Sequence, residues 1–226
     1  MLDIPTFFTL IAAGWLLAAI LMAVLWAWHR HVRNAALVDA GWTALVAGLA
    51  ILYANLGDGA WSRRSAIGWM MGSWGARLVV YRLYAPADGA LERRNSFWSF
   101  QALAASAVFF SLPALLASIN LAPTLSIADL VAGGLWVVGF AGETTADRQL
   151  LRFRSKPANA GLMCRTGLWR YTQHAHAIFE GLIWLAFALI AGGSPEWPWG
   201  WAAFACPAAM VWTLGTGNAL WSSLWK

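Results

Sequence analysis

Residues 171–180 read YTQHAHAIFE and run straight into GLIWLAFALI, so two imidazoles and a carboxylate precede a very apolar stretch. A carboxylate that close to hydrocarbon is costly unless something holds it. His176 and Glu180 stand four residues apart, so on a helix they share a face and can bond one guest together. Tyr171 and His174, one turn earlier, reach the same space. Such a collar suits an amide, a ribose hydroxyl or a buried partner side chain. The chain has four histidines, His29, His31, His174 and His176, too few for a many-histidine di-iron centre. A mononuclear metal site with one carboxylate is chemically possible, but this pattern does not favour metal.

A second set lies upstream in GFAGETTADRQLLRFR, residues 139–154. At about 100° per residue, Glu143, Asp147 and Arg154 fall on one stripe of a helix. Acids four apart repel each other, which calls for a cation or a ligand between them. Asp39 in VDAGW and Arg77 in WGARLVVYR are further charges inside apolar runs. Each of these costs roughly 2.5–3.5 kcal/mol at a helix centre. Arg77 is expected either to pair with Asp39 or another acid, or to line a pocket. Glu143 and Asp147 fall nearer a membrane boundary, where the expected cost is lower.

The elements that must position these groups follow from composition. The 226 residues are 60% hydrophobic and 11% charged, with 17 Trp, whereas a soluble domain carries roughly a quarter charged residues. The chain therefore reads as an all-α, polytopic membrane protein forming a single domain over residues 1–226. About 20 apolar residues cross a bilayer, and seven such spans are expected near 6–27, 35–56, 65–82, 97–120, 127–146, 177–193 and 199–221. No basic residue precedes the first span, and its length exceeds that of a signal-peptide core. It reads as a retained helix. Arg30, Arg33, Arg82, Arg93, Arg94 and the cluster Arg148, Arg152, Arg154, Lys156, Arg165 and Arg170 fall on one side, with Arg63 and Arg64 on the other. The positive-inside bias then places the N-terminus outside and the C-terminus in the cytoplasm of a multi-pass inner-membrane protein.

The formal charge of +5 is accounted for by that bias and by anionic lipid headgroups, so no nucleic-acid partner is required. Guanidinium forks also suit phosphate, so the same cluster can serve a phosphorylated cofactor. No Gly-x-Gly-x-x-Gly turn is present, which excludes a Rossmann site. The lysines, Lys156 and Lys226, both lie outside the expected seventh span, which removes a retinal Schiff base there. Cys164 and Cys206 are too few for a disulfide framework. The connection 155–170 is the one long loop of mixed polarity, a length more often functional than idle.

Several stretches together are specific. VDAGW, WGARLVVYR, FWSFQALAASAVFFSLP, GETTADRQLLRFR and GLWRYTQHAHAIFE resemble, from about residue 35 to 195, the bacterial membrane proteins of the DUF1295 kind. These are similar to the C-terminal domain of steroid 5α-reductases. The resemblance implies a seven-helix reductase that takes NADPH from the cytoplasmic side and reduces the carbon–carbon double bond of an enone-like lipid. It places Glu143, Asp147 and Arg154 on the cofactor face of the fifth span, and Tyr171, His174, His176 and Glu180 in the sixth-span signature. Tyr81, Tyr171 and Asp39 are the candidate acids. The signature departs from type at Gln173, Ala175, His176, Ala177, Ile178 and Phe179, where relatives carry arginine, proline, asparagine, tyrosine, phenylalanine and glycine. Trp74 stands where steroid reductases carry a tyrosine acid. Two rivals remain: an S-adenosylmethionine-dependent methyltransferase of the isoprenylcysteine carboxyl methyltransferase type, and a non-catalytic lipid-binding membrane protein.

Overall fold

In hydrocarbon every backbone donor and acceptor must be satisfied within its own segment or a closed barrel, and this sequence takes the helical solution. The computed structural model describes residues 4–32, 34–84, 96–122, 125–159, 161–193 and 198–216. Among the described residues the helices are α1 (Ile4–Val32), α2 (Ala35–Leu56), α3 (Trp61–Tyr84), α4 (Phe97–Phe110), α5 (Leu112–Ser118), α6 (Ile127–Arg154), α7 (Ala175–Gly192) and α8 (Ala205–Thr216). Short 3-10 turns occupy Pro157–Asn159, Gly167–Arg170 and Pro198–Phe204.

Among the described residues, five helical runs are long and apolar enough to cross a bilayer: those of α1, α2, α4 with α5, α6 and α7. Pro113, near the start of α5, follows a break at Ser111, as a residue without an N–H does. Two of the seven expected spans differ from that set. α3 has 24 residues but is too polar by composition, because Arg63, Arg64, Arg77 and Arg82 all lie in it. The seventh, expected near 199–221, is a 3-10 stretch leading into α8, and residues 217–221 lie outside the described set, as do Arg33, Arg93 and Arg94 of the expected basic side. The outer faces of α1 and α6 expose Leu16, Ile20, Val24, Leu130, Val137 and Val138. Rows of aliphatic side chains of this kind suit lipid, and the chain is a membrane protein.

Two helix pairs pack most closely, α2 with α3 and α6 with α7. In the first, Gly68 and Gly75 meet Ala54 and Ala47, and a Cβ on Gly75 would collide with the Ala47 methyl. Small residues seven apart on both helices let the backbones approach, the usual source of helix adhesion in lipid. In the second pair, Gly139 and Gly142 receive Ile183 and Phe179. Phe179, in place of the signature glycine, is therefore matched by Gly142 opposite, so that the seam between α6 and α7 is filled. Between the pairs lies an aromatic core in which Trp74 meets Trp184 edge-on at 5.4 Å and Phe110 meets Trp184 at 4.9 Å.

Helices α3 and α6 run parallel and are bridged twice by arginine. Arg63 pairs with Asp129 at one end and Arg77 with Glu143 at the other. The two rungs are fourteen residues apart on both helices, about 21 Å at 1.5 Å per residue.

Candidate functional site

The second rung is where chemistry-bearing side chains gather. Glu143 and Asp147, one turn apart on α6, are 2% and 6% exposed, so both are buried among the helices. Arg77 of α3 lies between them, with Nη1 donating to Asp147 Oδ2 at 2.6 Å and Nη2 ion-paired with Glu143 Oε2. The cation that two acids at this spacing call for is thus supplied by the chain itself. Arg77 pairs with these acids, not with Asp39. Its guanidinium also sits over the Phe140 ring, 5.5 Å from the centroid.

One helix further, Glu180 of α7 is 3% exposed. Its Oε1 accepts two indole N–H groups, from Trp74 at 3.1 Å and Trp184 at 2.9 Å. Glu143 and Glu180 line the same small cavity. His176, half-buried one turn before Glu180, packs on Trp169 at 5.4 Å between centroids and shares a cavity wall with Asp147. The indole of Trp169 in turn donates to Ala146 O at 2.9 Å, and Gln149 accepts from Leu168 N–H at 2.8 Å. Residues 168 and 169 of the connection are in this way folded back on α6, and Trp169 closes one side of the cluster.

Leu78, Tyr81, Arg82, Glu143, Asp147, His176 and Glu180 line a cavity of about 20 Å³, room for one water molecule. Three carboxylates, an imidazole and a phenol around so small a space can hold, exchange or deliver protons, and can accept hydrogen bonds from a guest. They repel a phosphate.

Not every residue singled out in the sequence joins this cluster. Glu143, Asp147, His176, Glu180 and Tyr81 share the cavity wall. Asp39 does not. The register that sets Ala54 against Gly68 and Ala47 against Gly75 puts Asp39 opposite Leu83, about 9 Å along the helix beyond Arg77. Tyr171 is 83% exposed, and His174 and Arg154 are exposed too. The expected common stripe of Glu143, Asp147 and Arg154 therefore divides, with two residues facing the core and the third facing outward. Trp184 and Arg82 are not among the expected site residues, and Trp74, expected only as the stand-in for a tyrosine acid, proves to be a hydrogen-bond donor to Glu180. Trp74, Arg77 and Tyr81 share a face by their spacing, and Glu180 and Trp184 are four apart, which is the signal that was available.

The first rung was also missed. Arg63, expected on an exposed loop, is fully buried, with Nε and Nη2 on the two oxygens of Asp129 at 3.3 and 2.7 Å and Nη1 on Ala122 O at 3.1 Å. Asp129 closes a capping box with Ser126, so the clue was the Ser-x-x-Asp pattern at the start of α6.

A family model described as a protein of unknown function, DUF1295, matches residues 86–218. The comparisons with curated proteins and with solved structures find no match. The matched segment covers more than half of the chain and contains Glu143, Asp147, His176 and Glu180, while Arg77 and Tyr81 precede it. On that match, the chain belongs to the DUF1295 family.

Proposed function

We propose that this chain is a seven-span inner-membrane enzyme, N-terminus outside and C-terminus cytoplasmic, that uses NADPH to reduce a carbon–carbon double bond in an enone-like lipid. The observation that carries the reading is the convergence of Tyr81, Glu143, Asp147, His176 and Glu180, from three helices, on one cavity. The likeness of GETTADRQLLRFR and GLWRYTQHAHAIFE to reductase sequences supports it. The orientation rests on the free basic residues. Arg63 is consumed by Asp129 and Arg64 bonds Gly57 O, whereas Arg148, Arg152, Arg154, Lys156, Arg165 and Arg170 are all exposed beyond the second rung.

The donor set suits a dinucleotide in chemistry. Buried carboxylates at Glu143 and Glu180 accept from a carboxamide and from ribose hydroxyls, and the exposed arginines suit phosphates. It suits one in space only after Arg77 turns away from Glu143 and Asp147, because about 20 Å³ admits no nicotinamide ring. NADPH, when bound, supplies the hydride. The chain's share is to keep water out, to orient the substrate and to hold a proton near it. Of the three candidate acids, Tyr81 stands on the cavity wall, and it is the one we assign to that role.

Asp147→Ala, purified in detergent, is expected to lose NADPH binding by titration calorimetry. Unchanged binding would remove the second rung from the cofactor site. One observation favours a second reading: an acid-rich cavity attracts a cation, and the sulfonium of S-adenosylmethionine is cationic. Parallel titrations with both cofactors separate the two. If neither binds and a native lipid co-purifies in stoichiometric amount, the protein is a non-catalytic lipid binder.

A further inference from the structure

A polar group at the first-rung end of the molecule has no part in the chemistry above. At the turn between α2 and α3, Gly57 and Gly59 press against the end of α5, where a Cβ on either would lie 2.3 or 2.6 Å from Ser118 O. Gly59 N–H donates to Ser118 O at 2.8 Å, and Ala60 N–H donates to Asn120 O at 2.9 Å. Arg64, in the first turn of α3, comes back to the same turn. Its N–H donates to Ala60 O at 3.1 Å and its Nη1 donates to Gly57 O. Arg64, Ser118 and Asn120 are thus gathered round residues 57–60.

Each of the three carries a buried polar atom with no hydrogen-bond partner among the described residues: Arg64 Nε, Ser118 Oγ and Asn120 Nδ2. Ser118 is fully buried and Asn120 is 1% exposed. The two nitrogens only donate, and the hydroxyl donates or accepts, so what the group lacks is an acceptor. Buried donors left in this way call for an occupant. The charges agree. Arg63 is matched by Asp129, whereas Arg64 has no ion pair among the described residues, and Asp58 in the turn is exposed and makes none with it. Water would satisfy the donors and leave the charge. An oxyanion satisfies both.

The place suits a headgroup. α2 has 22 residues, about 33 Å at 1.5 Å per residue, close to the roughly 30 Å of a hydrocarbon core, so the turn that follows it lies at headgroup level. Arg64 is half-buried and gives a guest its way in. Trp61, 69% exposed, lies under its guanidinium at 5.1 Å, as an aromatic anchor at a membrane boundary does.

We propose that Arg64, Ser118 and Asn120 form an oxyanion site at the α2–α3 turn, and that its ligand is a phosphate, carried by a lipid headgroup or free in solution. The site lies at the opposite end of α3 from the second rung and does not depend on any cofactor.

The test titrates delipidated protein in dodecyl maltoside, at constant ionic strength, with short-chain phosphatidylglycerol and separately with inorganic phosphate, binding being read by calorimetry. Saturable binding of at least one of the two is expected, weakened at least tenfold in Arg64→Gln and in Asn120→Asp, and unchanged in Arg148→Ala, which removes a guanidinium from the other end. Binding of the lipid alone assigns the site to a headgroup whose chains lie in the bilayer. Binding of inorganic phosphate alone assigns it to a soluble anion, and binding of both shows that the phosphate itself is what is read. Binding of neither, or binding as tight in Arg64→Gln and Asn120→Asp as in wild type, overturns the proposal. Wild-type crystals grown from lipid with phosphate present need no substitution, so a variant that fails to fold does not stop the test. They are expected to show phosphate density against Arg64 Nε and Asn120 Nδ2, and a water molecule there instead overturns the proposal. NADPH plays no part in either readout, so loss of the reductase reading would be seen separately.

Discussion

Arg63 and Arg77 occupy equivalent places on α3 and reach equivalent places on α6, yet they build different things. Arg63 meets one carboxylate with two nitrogens and spends a third on Ala122 O; Asp129 turns its remaining capacity to Ser126. One positive charge faces one negative charge, and the hydrogen bonds close on themselves. Arg77 meets two carboxylates with a third behind them, and its buried Nε has no hydrogen-bond acceptor among the described residues. A water-sized space adjoins the second rung. The first rung is a staple; the second has the surplus charge and the room that a working site needs.

The largest effect should come from breaking the staple. Asp129→Ala strands a fully buried guanidinium and removes an α6 cap, so stability should fall by about 3–5 kcal/mol, the usual cost of leaving half a buried pair. The check is the thermal unfolding midpoint in one detergent, compared with Asp147→Ala. If Asp129→Ala is no worse than Asp147→Ala, the two rungs are alike and the contrast fails.

How far the contrast could be read beforehand depends on where the helices start. The spacing of Glu143 and Asp147 marked them as a pair needing a cation, and Arg77 was visible as a charge in an apolar run. That the one answers the other is not visible, since Glu143 and Asp147 stand 66 and 70 positions after Arg77 and no periodicity spans that distance. A span beginning at residue 65 leaves Arg63 outside it, whereas α3 starts four residues earlier, at Trp61. The spacing of Tyr171, His174 and Glu180 reads as one continuous helix. In fact α7 begins at Ala175, and the preceding turn swings Tyr171 outward. Phe179 stands out in the sequence only as a departure from the signature glycine, because Gly142, its complement, sits on another helix.

A smaller loss is expected at the second rung, with a different dependence on pH. Arg77→Met removes the cation but leaves acids that can take up protons, so the cost should be about 1–3 kcal/mol. A buried carboxylate is costly only while ionised. Arg77→Met should therefore lie closest to wild type at low pH, with the gap in unfolding midpoint widening as pH rises. Arg63→Met should show no such narrowing at low pH, because Asp129 keeps its bonds to Ser126 N–H and Oγ whatever happens to the arginine. A pH-independent gap in Arg77→Met would mean that its acids are held as rigidly as Asp129.

The smallest effect belongs to the exposed arginines beyond the second rung, and its smallness is what makes it informative. Arg148 and Arg154 lie on the outer side of α6 with no bonds to the core, so Arg148→Ala and Arg154→Ala should stay within about 0.5 kcal/mol of wild-type stability, as surface changes do. Any loss of dinucleotide affinity in these variants is then a binding effect, and as a contact between exposed charges it should shrink as salt is raised. Asp147→Ala acts inside the bundle, where salt screens little, so its effect on the same titration should persist at high ionic strength. If the arginine variants change nothing at any salt concentration while Asp147→Ala still abolishes binding, the guest carries no phosphate. In that case the second rung binds a neutral or cationic molecule, and S-adenosylmethionine replaces NADPH as the group to pursue.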